Sequence, residues 1–240
     1  MAIVPILTFE ELSRQFEDAS PEALLRWAVA EFGRDISLAC SFGAEDVVLI
    51  DTLVKVDAKP HVFVLDTGRL HEETYDVMER CRVRYGIDFE VYTPDTYRLQ
   101  DLQRAKGPNP FYASVENRKE CCNIRKVEPL RRALQGRKAW ITGLRREQAV
   151  TRLGLPKLEF DATHGGIAKL NPLADWTEKQ VWAAIRANDI PYNALHDQGF
   201  PSIGCAPCTR AIRPGEDVRA GRWWWEAPEH KECGLHLRKA

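Results

Sequence analysis

The feature that most constrains this chain is a repeated handover between two hydrophobic periods. "DISLACSF" is a short apolar run with strand character, and "AEDVVLIDTLVKV" directly after it has helical spacing, with Val47, Ile50 and Val54 on one side. "HVFVLDTG" repeats the strand signal, "RLHEETYDVMERCRVRYG" the helix, and "DFEVYTP" supplies a third strand. Strands alternating with helices of this length make βαβ units, in which parallel strands are joined by a crossover helix and buried on both faces. "RKAWITGL" predicts a further buried strand after a helix over "CCNIRKVEPLRRALQG", and "KLEFDAT" with "IAKLNPL" predicts a hairpin through "HGG". The expected fold is α/β: a doubly wound, mostly parallel sheet flanked by helices, followed by a mobile C-terminal tail.

Local signals place the ends of this core. Thr8 with Glu11 predicts a capping box on a short first helix. Ser20 and Pro21 open a second helix that Gly33 stops. "DWTEKQVWAAIRAND" reads as a late helix capped by Asp175 with Glu178. From about Asn193 the pattern thins into Gly, Pro and charge, a composition that cannot make its own core and must lean on the main domain, a metal or a ligand. The expected organisation is a single domain over 1–240, with N-terminal helices in 1–35, an α/β core in 36–192, a loop in 193–222 and a tail in 223–240.

Charge and cysteine usage narrow the function classes. With 34 basic and 35 acidic residues among 240, the chain carries no global field that would draw nucleic acid or an anionic membrane, so any anion site is local. "MAIVPILTFEELSRQ" has no basic n-region and no small-residue cleavage site, and no stretch is long and apolar enough to span a bilayer. Seven cysteines, an odd number, point to a reducing, cytoplasmic setting rather than a disulfide framework. The thiols are then metal ligands, a nucleophile, or core.

Four of them form the strongest motif. Cys121 and Cys122 are adjacent in "ECCNIRK", and Cys205 and Cys208 make a C-x-x-C in "GCAPCTR". Four thiolates fit a tetrahedral zinc or a [4Fe–4S] cluster. Adjacent cysteines point apart more easily toward two irons of a cube than toward one ion, which favours the cluster; four buried or redox thiols without metal are the third reading. Lys126, four residues after Cys122, would share its helical face, where a cation offsets thiolate charge and holds an anionic substrate. The turn "SFGAED", with Ser41, Phe42 and Gly43, offers N–H groups at a helix N-terminus to a phosphate or sulfate, although the same turn serves as an ordinary strand-to-helix connection. "LDTG", with Asp66, Thr67 and Gly68, would face the same crevice beyond the strand ends. Arg145, Arg152, Arg219 and Arg222, in "GLRREQAVTR" and "RPGEDVRAGRWWWE", are candidates for a polyanion clamp or members of solvated faces. Cys40 and Cys81 read as core. Cys233, among charged neighbours in "HKECGLHLRKA", is either an idle thiol or a nucleophile whose pKa Lys231, His230 or His236 could lower.

Taken in order, "CCNIRK", "GCAPCTR", "RAGRWWWE" and "KECGLH" resemble the assimilatory adenylyl-sulfate (APS) reductases, and "SFGAEDVVL", "LDTGRLHEET" and "GLRREQ" agree. The resemblance implies the fold of the adenine-nucleotide α-hydrolases and a thioredoxin-dependent reduction of APS to sulfite and AMP. It implies a [4Fe–4S] cluster on Cys121, Cys122, Cys205 and Cys208, and an S-sulfocysteine intermediate on Cys233. It further implies that Lys126, Arg219 and Arg222 engage the sulfate and phosphate, and that "SFGAED" and "LDTG" bind the nucleotide. The 3′-phosphoadenylyl-sulfate (PAPS) reductases share the fold and tail cysteine but in their usual form lack the four cluster cysteines; PAPS or dual specificity is the alternative. A tRNA-modifying ATP pyrophosphatase would carry Ser-Gly-Gly-x-Asp-Ser in place of "SFGAED", and a nucleotide or iron–sulfur sensor would not need Cys233. The oligomeric state stays open, a homo-oligomer included.

Overall fold

The computed structural model describes residues 8–149, 152–227, 231 and 234–235. Two helices, α1 (Phe9–Phe16) and α2 (Pro21–Phe32), precede the sheet. Thr8 and Glu11 cap α1 reciprocally, Ser20 accepts the Ala23 N–H at the start of α2 with Pro21 in the first turn, and Gly33 ends α2 at φ +53°. Each of these termini falls where the sequence puts it.

Among the described residues six strands follow, β1 (Ile36–Cys40), β2 (Val62–Leu65), β3 (Glu90–Tyr92), β4 (Ala139–Ile141), β5 (Leu158–Asp161) and β6 (Ile167–Leu170), in the order β3-β2-β1-β4-β6-β5. Leu38 of β1 lies opposite Val62 on one side and Ile141 on the other, both in parallel register. Only the edge strand β5 is antiparallel, the hairpin expected through "HGG". The strand order reverses between β1 and β4, which is where an open α/β sheet leaves a crevice beyond its carboxyl ends.

Helices cover both faces. On one, α2, α3 (Ala44–Val54), α4 (Glu72–Tyr85) and α8 (Glu178–Ala187) bury Leu24, Val47, Val77 and Ile185 against the sheet. Cys40 and Cys81 belong to this core, and burial pushes the Cys81 thiol up to about 12, as suits an inert packing residue. On the other face, α7 (Glu128–Ala133) sets Leu130 and Ala133 against Phe63 and Trp140.

Three details differ from the sequence reading. A helix α5 (Thr96–Lys106) follows β3; its sole buried residue is Leu102, so its apolar stripe is too sparse to announce it. The helix expected from Cys121 to Gly136 begins earlier, as α6 (Val115–Cys122) capped by Ser114, and passes through a π-helical stretch at Asn123–Val127 before α7. Finally, α8 is capped by Thr177 and Gln180 rather than by Asp175 and Glu178. Asp175 pairs instead with buried Lys157 at 2.8 Å, and the Glu178 N–H donates to Glu147 at 2.7 Å. No helix among the described residues is long and apolar enough to cross a membrane. Of the tail, 223–227, Lys231, Gly234 and Leu235 are described; Cys233 lies outside the described residues.

Candidate active site

The turn after β1 is shaped by two opposed side chains. Phe42 adopts a left-handed φ of +58° and drives its ring inward, 1% exposed, edge-on to Phe89 at 5.2 Å. That leaves Ser41 and Gly43 facing the crevice. Asp46, at the third position of α3, reaches back to accept the Ser41 N–H at 2.6 Å and the Ser41 hydroxyl at 2.7 Å. Burial pushes the Asp46 carboxyl up to about 6, against the pull of those donors. The turn after β4 packs so closely on this loop that a Cβ on Gly143 would run into Asp46 Oδ1 and come within 2.9 Å of the Glu45 Cβ.

The turn after β2 forms a wall between two spaces. Asp66 accepts the Gly68 N–H at 2.8 Å and the Tyr75 hydroxyl at 2.9 Å, and Gly68 takes the positive φ, +66°, that the turn needs. Asp66 and Gly68 thus build the turn, while Thr67 between them lines the crevice on one side and meets Cys205 on the other, its hydroxyl accepting from Sγ at 3.3 Å.

The crevice has a volume of about 620 Å³ and opens at the switch point between β1 and β4. Lys126, Arg145, Arg152, Arg219 and Arg222 all line it, but their surroundings differ. Arg145 is buried against carboxylates, Glu45 and Glu147 each at 2.7 Å, and donates to the Trp176 carbonyl at 3.2 Å. It ties α3 and the turn after β4 to the chain entering α8. Arg152 hydrogen-bonds Gln148. Arg222 is buried, donates to Ser202 and Ile203 at 3.2 Å, and occupies space that a Cβ on Gly204 would fill. Arg219 donates to the Lys231 carbonyl at 3.1 Å, and Leu235 also lines the crevice, so chain on both sides of Cys233 in sequence returns to this place. Sequence reasoning passed over Glu45 and Asp46, although both stand inside the quoted "SFGAED" turn. It also passed over His196, a half-hidden crevice residue that burial keeps below the usual histidine range.

Behind the wall, Cys121, Cys122, Cys205 and Cys208 converge on one small cavity, packed among Leu102, Phe111, Ile124 and Trp223. Its charged lining is cationic throughout: Arg69, Arg118, Arg125 and Lys126. Arg125 donates to the Thr67 carbonyl at 2.5 Å, while its Nε and the Trp223 Nε1 are buried donors with no hydrogen-bond partner among the described residues. Among the described residues no three His, Cys, Asp or Glu side chains close tightly enough to hold a single metal ion. Burial raises Cys208 to about 12, with Cys205 adding to the effect. Burial also opposes ionisation of Cys205, but Lys126, the Thr67 hydroxyl and two arginines outweigh it and hold that thiol below its ordinary value. Lys126 and Trp223 line both the crevice and the cysteine cavity. The π-helical stretch has a part in this: it widens the turn after Cys122, a distortion that recurs at functional sites.

Comparison with known proteins agrees with this geometry. The chain is 55% identical over 204 residues to a protein of Allochromatium vinosum named adenosine 5′-phosphosulfate reductase, covering 85% of this chain and 79% of the relative. Among solved structures it resembles a phosphoadenylyl-sulfate (PAPS) reductase from Candida auris in a phosphate complex, with a TM-score of 0.73 and 28% identity over 88% of this chain and all of the other. A Candida glabrata FMN adenylyltransferase, 15% identical with a TM-score of 0.56 over 96% of this chain and 80% of the other, shares the fold alone. Residues 35–211, from the start of β1 to just past the second cysteine pair, match the phosphoadenosine phosphosulfate reductase domain, and the chain belongs to that family, grouping with its APS-reductase members.

Proposed function

We propose that this protein reduces APS to sulfite and AMP, with Cys233 as nucleophile and thioredoxin as electron donor. The observation that carries the reading is the shared wall: a nucleotide-sized crevice at the switch point meets a four-cysteine cavity through Thr67, Lys126 and Trp223. The 55% identity to a protein named for APS, against 28% to one named for PAPS, favours APS over the alternative of PAPS or dual specificity.

Ser41, Gly43 and Thr67 border the nucleotide, with Phe42, Asp66 and Gly68 shaping their turns. Lys126, Arg219 and Arg222 draw together the substrate's sulfate and phosphate, with Arg152 further along the crevice and Arg145 holding its carboxylate neighbours. The Cys233 thiolate attacks the sulfate sulfur. An S–S bond forms, the S–O bond to the nucleotide breaks, and AMP departs with its charge stabilised by these cations. A thioredoxin thiolate then attacks the sulfur of Cys233, sulfite leaves with the electron pair, and the second thioredoxin thiol closes the disulfide and returns Cys233 to a thiol. Two electrons pass from dithiol to substrate sulfur.

The four cysteines are assigned to a [4Fe–4S] cluster. Its fit rests on the all-thiol donor set, on cations that offset a thiolate-bound cluster, and on the unpartnered Arg125 Nε and Trp223 Nε1 donors beside it. When bound, the cluster contributes negative charge and structural order beside Lys126. The test is turnover with APS and with PAPS, wild type against Cys233→Ser. The variant is expected to lose turnover while still binding APS, and a Cys233→Ser protein that still releases sulfite would overturn the assignment.

A further inference from the structure

The cysteine helix is tied to the arginine loop by a buried ion pair whose cation, Arg118, also lines the cysteine cavity and whose anion, Glu226, lines neither that cavity nor the crevice. Arg118 stands one turn before Cys121 and Cys122 on α6, and its guanidinium grips Glu226 with both forks, Nε to Oε1 at 3.0 Å and a terminal nitrogen to Oε2 at 2.8 Å. The two side chains are 1% and 3% exposed. A pair this dry costs more desolvation than its attraction readily returns, and an apolar pair of the same size would fill the space at least as stably. What it does supply is a fixed geometry.

The geometry it fixes belongs to Trp223. The same Arg118 guanidinium lies 4.9 Å from the Trp223 ring centre, and the Arg222 guanidinium lies 4.8 Å from it. Trp223 is held in the left-handed region, φ +41°, which is costly for a large side chain and persists only where neighbours enforce it. The Trp223 carbonyl accepts the Glu226 N–H at 2.8 Å, closing the turn that carries Glu226 to Arg118. On the other side, Gly221 admits the Arg210 carbonyl where a Cβ would collide, and the Trp223 N–H donates to the Cys208 carbonyl at 3.1 Å. The loop is thus held at two ends, by the second cysteine pair and by the helix of the first. Arg222 is the residue between them that enters the crevice.

We propose that Arg118 and Glu226 are a positioning pair for the reaction: a clasp that, through Trp223, sets where Arg222 meets the anionic part of the substrate. The inference rests on the reading of Arg222 as a substrate ligand, and makes the anion clamp depend on a contact lying outside the crevice. A displacement of about 1 Å in such a group can cost roughly 100-fold in rate or binding.

The test uses the cluster-loaded protein in a Cys233→Ser background, so that APS binds without turning over and its affinity is read by calorimetry. Glu226→Gln leaves a charge buried alone and can fail to fold. The decisive variant is therefore the apolar pair Arg118→Met with Glu226→Leu, which removes both charges together. Because Arg118 also lines the cysteine cavity, cluster content is read from the visible absorption and binding is compared per loaded protein; the variant is expected to bind APS about 10- to 100-fold more weakly and to lose the further effect of Arg222→Ala that the parent shows. An apolar pair with parental APS affinity, or one in which Arg222→Ala weakens binding by the same factor as in the parent, overturns the clasp. If Arg222→Ala changes nothing in the parent, the ligand role of Arg222 fails instead.

Discussion

Asp46 turns the loop after β1 into a pH-sensitive element. Its unfolded carboxyl titrates near 3.8, whereas the folded one keeps its proton to about 6. Between those values the folded state binds more protons than the unfolded, so the contribution to stability is full below pH 3.8 and is lost as pH rises through 6. Relative to Asp46→Asn, the wild type is expected to lose on the order of 3 kcal/mol of stability over that window. Unfolding midpoints of the two proteins from pH 4 to 7 check this, and parallel curves would refute it. Single residues also mark where sequence reading stops. Cys121, Cys122, Cys205 and Cys208 were legible because thiol spacing has few uses. That Arg145 is enclosed by Glu45 as well as by Glu147 was not, since nothing in "GLRREQ" shows a second carboxylate arriving from 100 residues away in the chain.

At the scale of elements, termini written in local chemistry were readable, and those decided between two nearby candidates were not. Ser20, Pro21 and Gly33 bracket α2 as expected. For α8 the sequence offers Asp175 with Glu178 and Thr177 with Gln180, two boxes two residues apart, and the choice falls to tertiary contacts: Lys157 claims Asp175, leaving Thr177 as the cap. Thr177→Ala is accordingly expected to lower stability by about 1 kcal/mol through loss of the cap, while Glu178→Ala leaves the cap intact. Chemical denaturation of the two variants separates these outcomes, and equal losses would argue for the rejected box. The π-helical stretch after Cys122 has a local cause that the reading missed. Helical periodicity runs straight through "NIRKV", but Pro129 follows at the start of α7, has no N–H to offer the Arg125 carbonyl and crowds it with its ring, as happens where a continuous helix is distorted.

For the whole molecule, the alternation of strand and helix patterns specified a doubly wound sheet, because parallel strands leave few other ways to connect. The crevice then follows from the strand order, and the cysteine pairs meet beside it because both their segments run past the turn after β2. What the pattern could not show is how far the two sites share residues: Lys126 and Trp223 front both, and Arg118 and Glu226 join the helix of one to the loop of the other. The proposed reaction requires Cys233 to carry the substrate's sulfur between two partners. Its most direct test is the mass of the protein mixed with APS before any thioredoxin is added, followed by mapping of the modified peptide. The prediction is one SO₃ group per chain on Cys233, formed with one AMP released and removed as sulfite when reduced thioredoxin is supplied. An unmodified Cys233 after AMP release, or the group on any other cysteine, would contradict it.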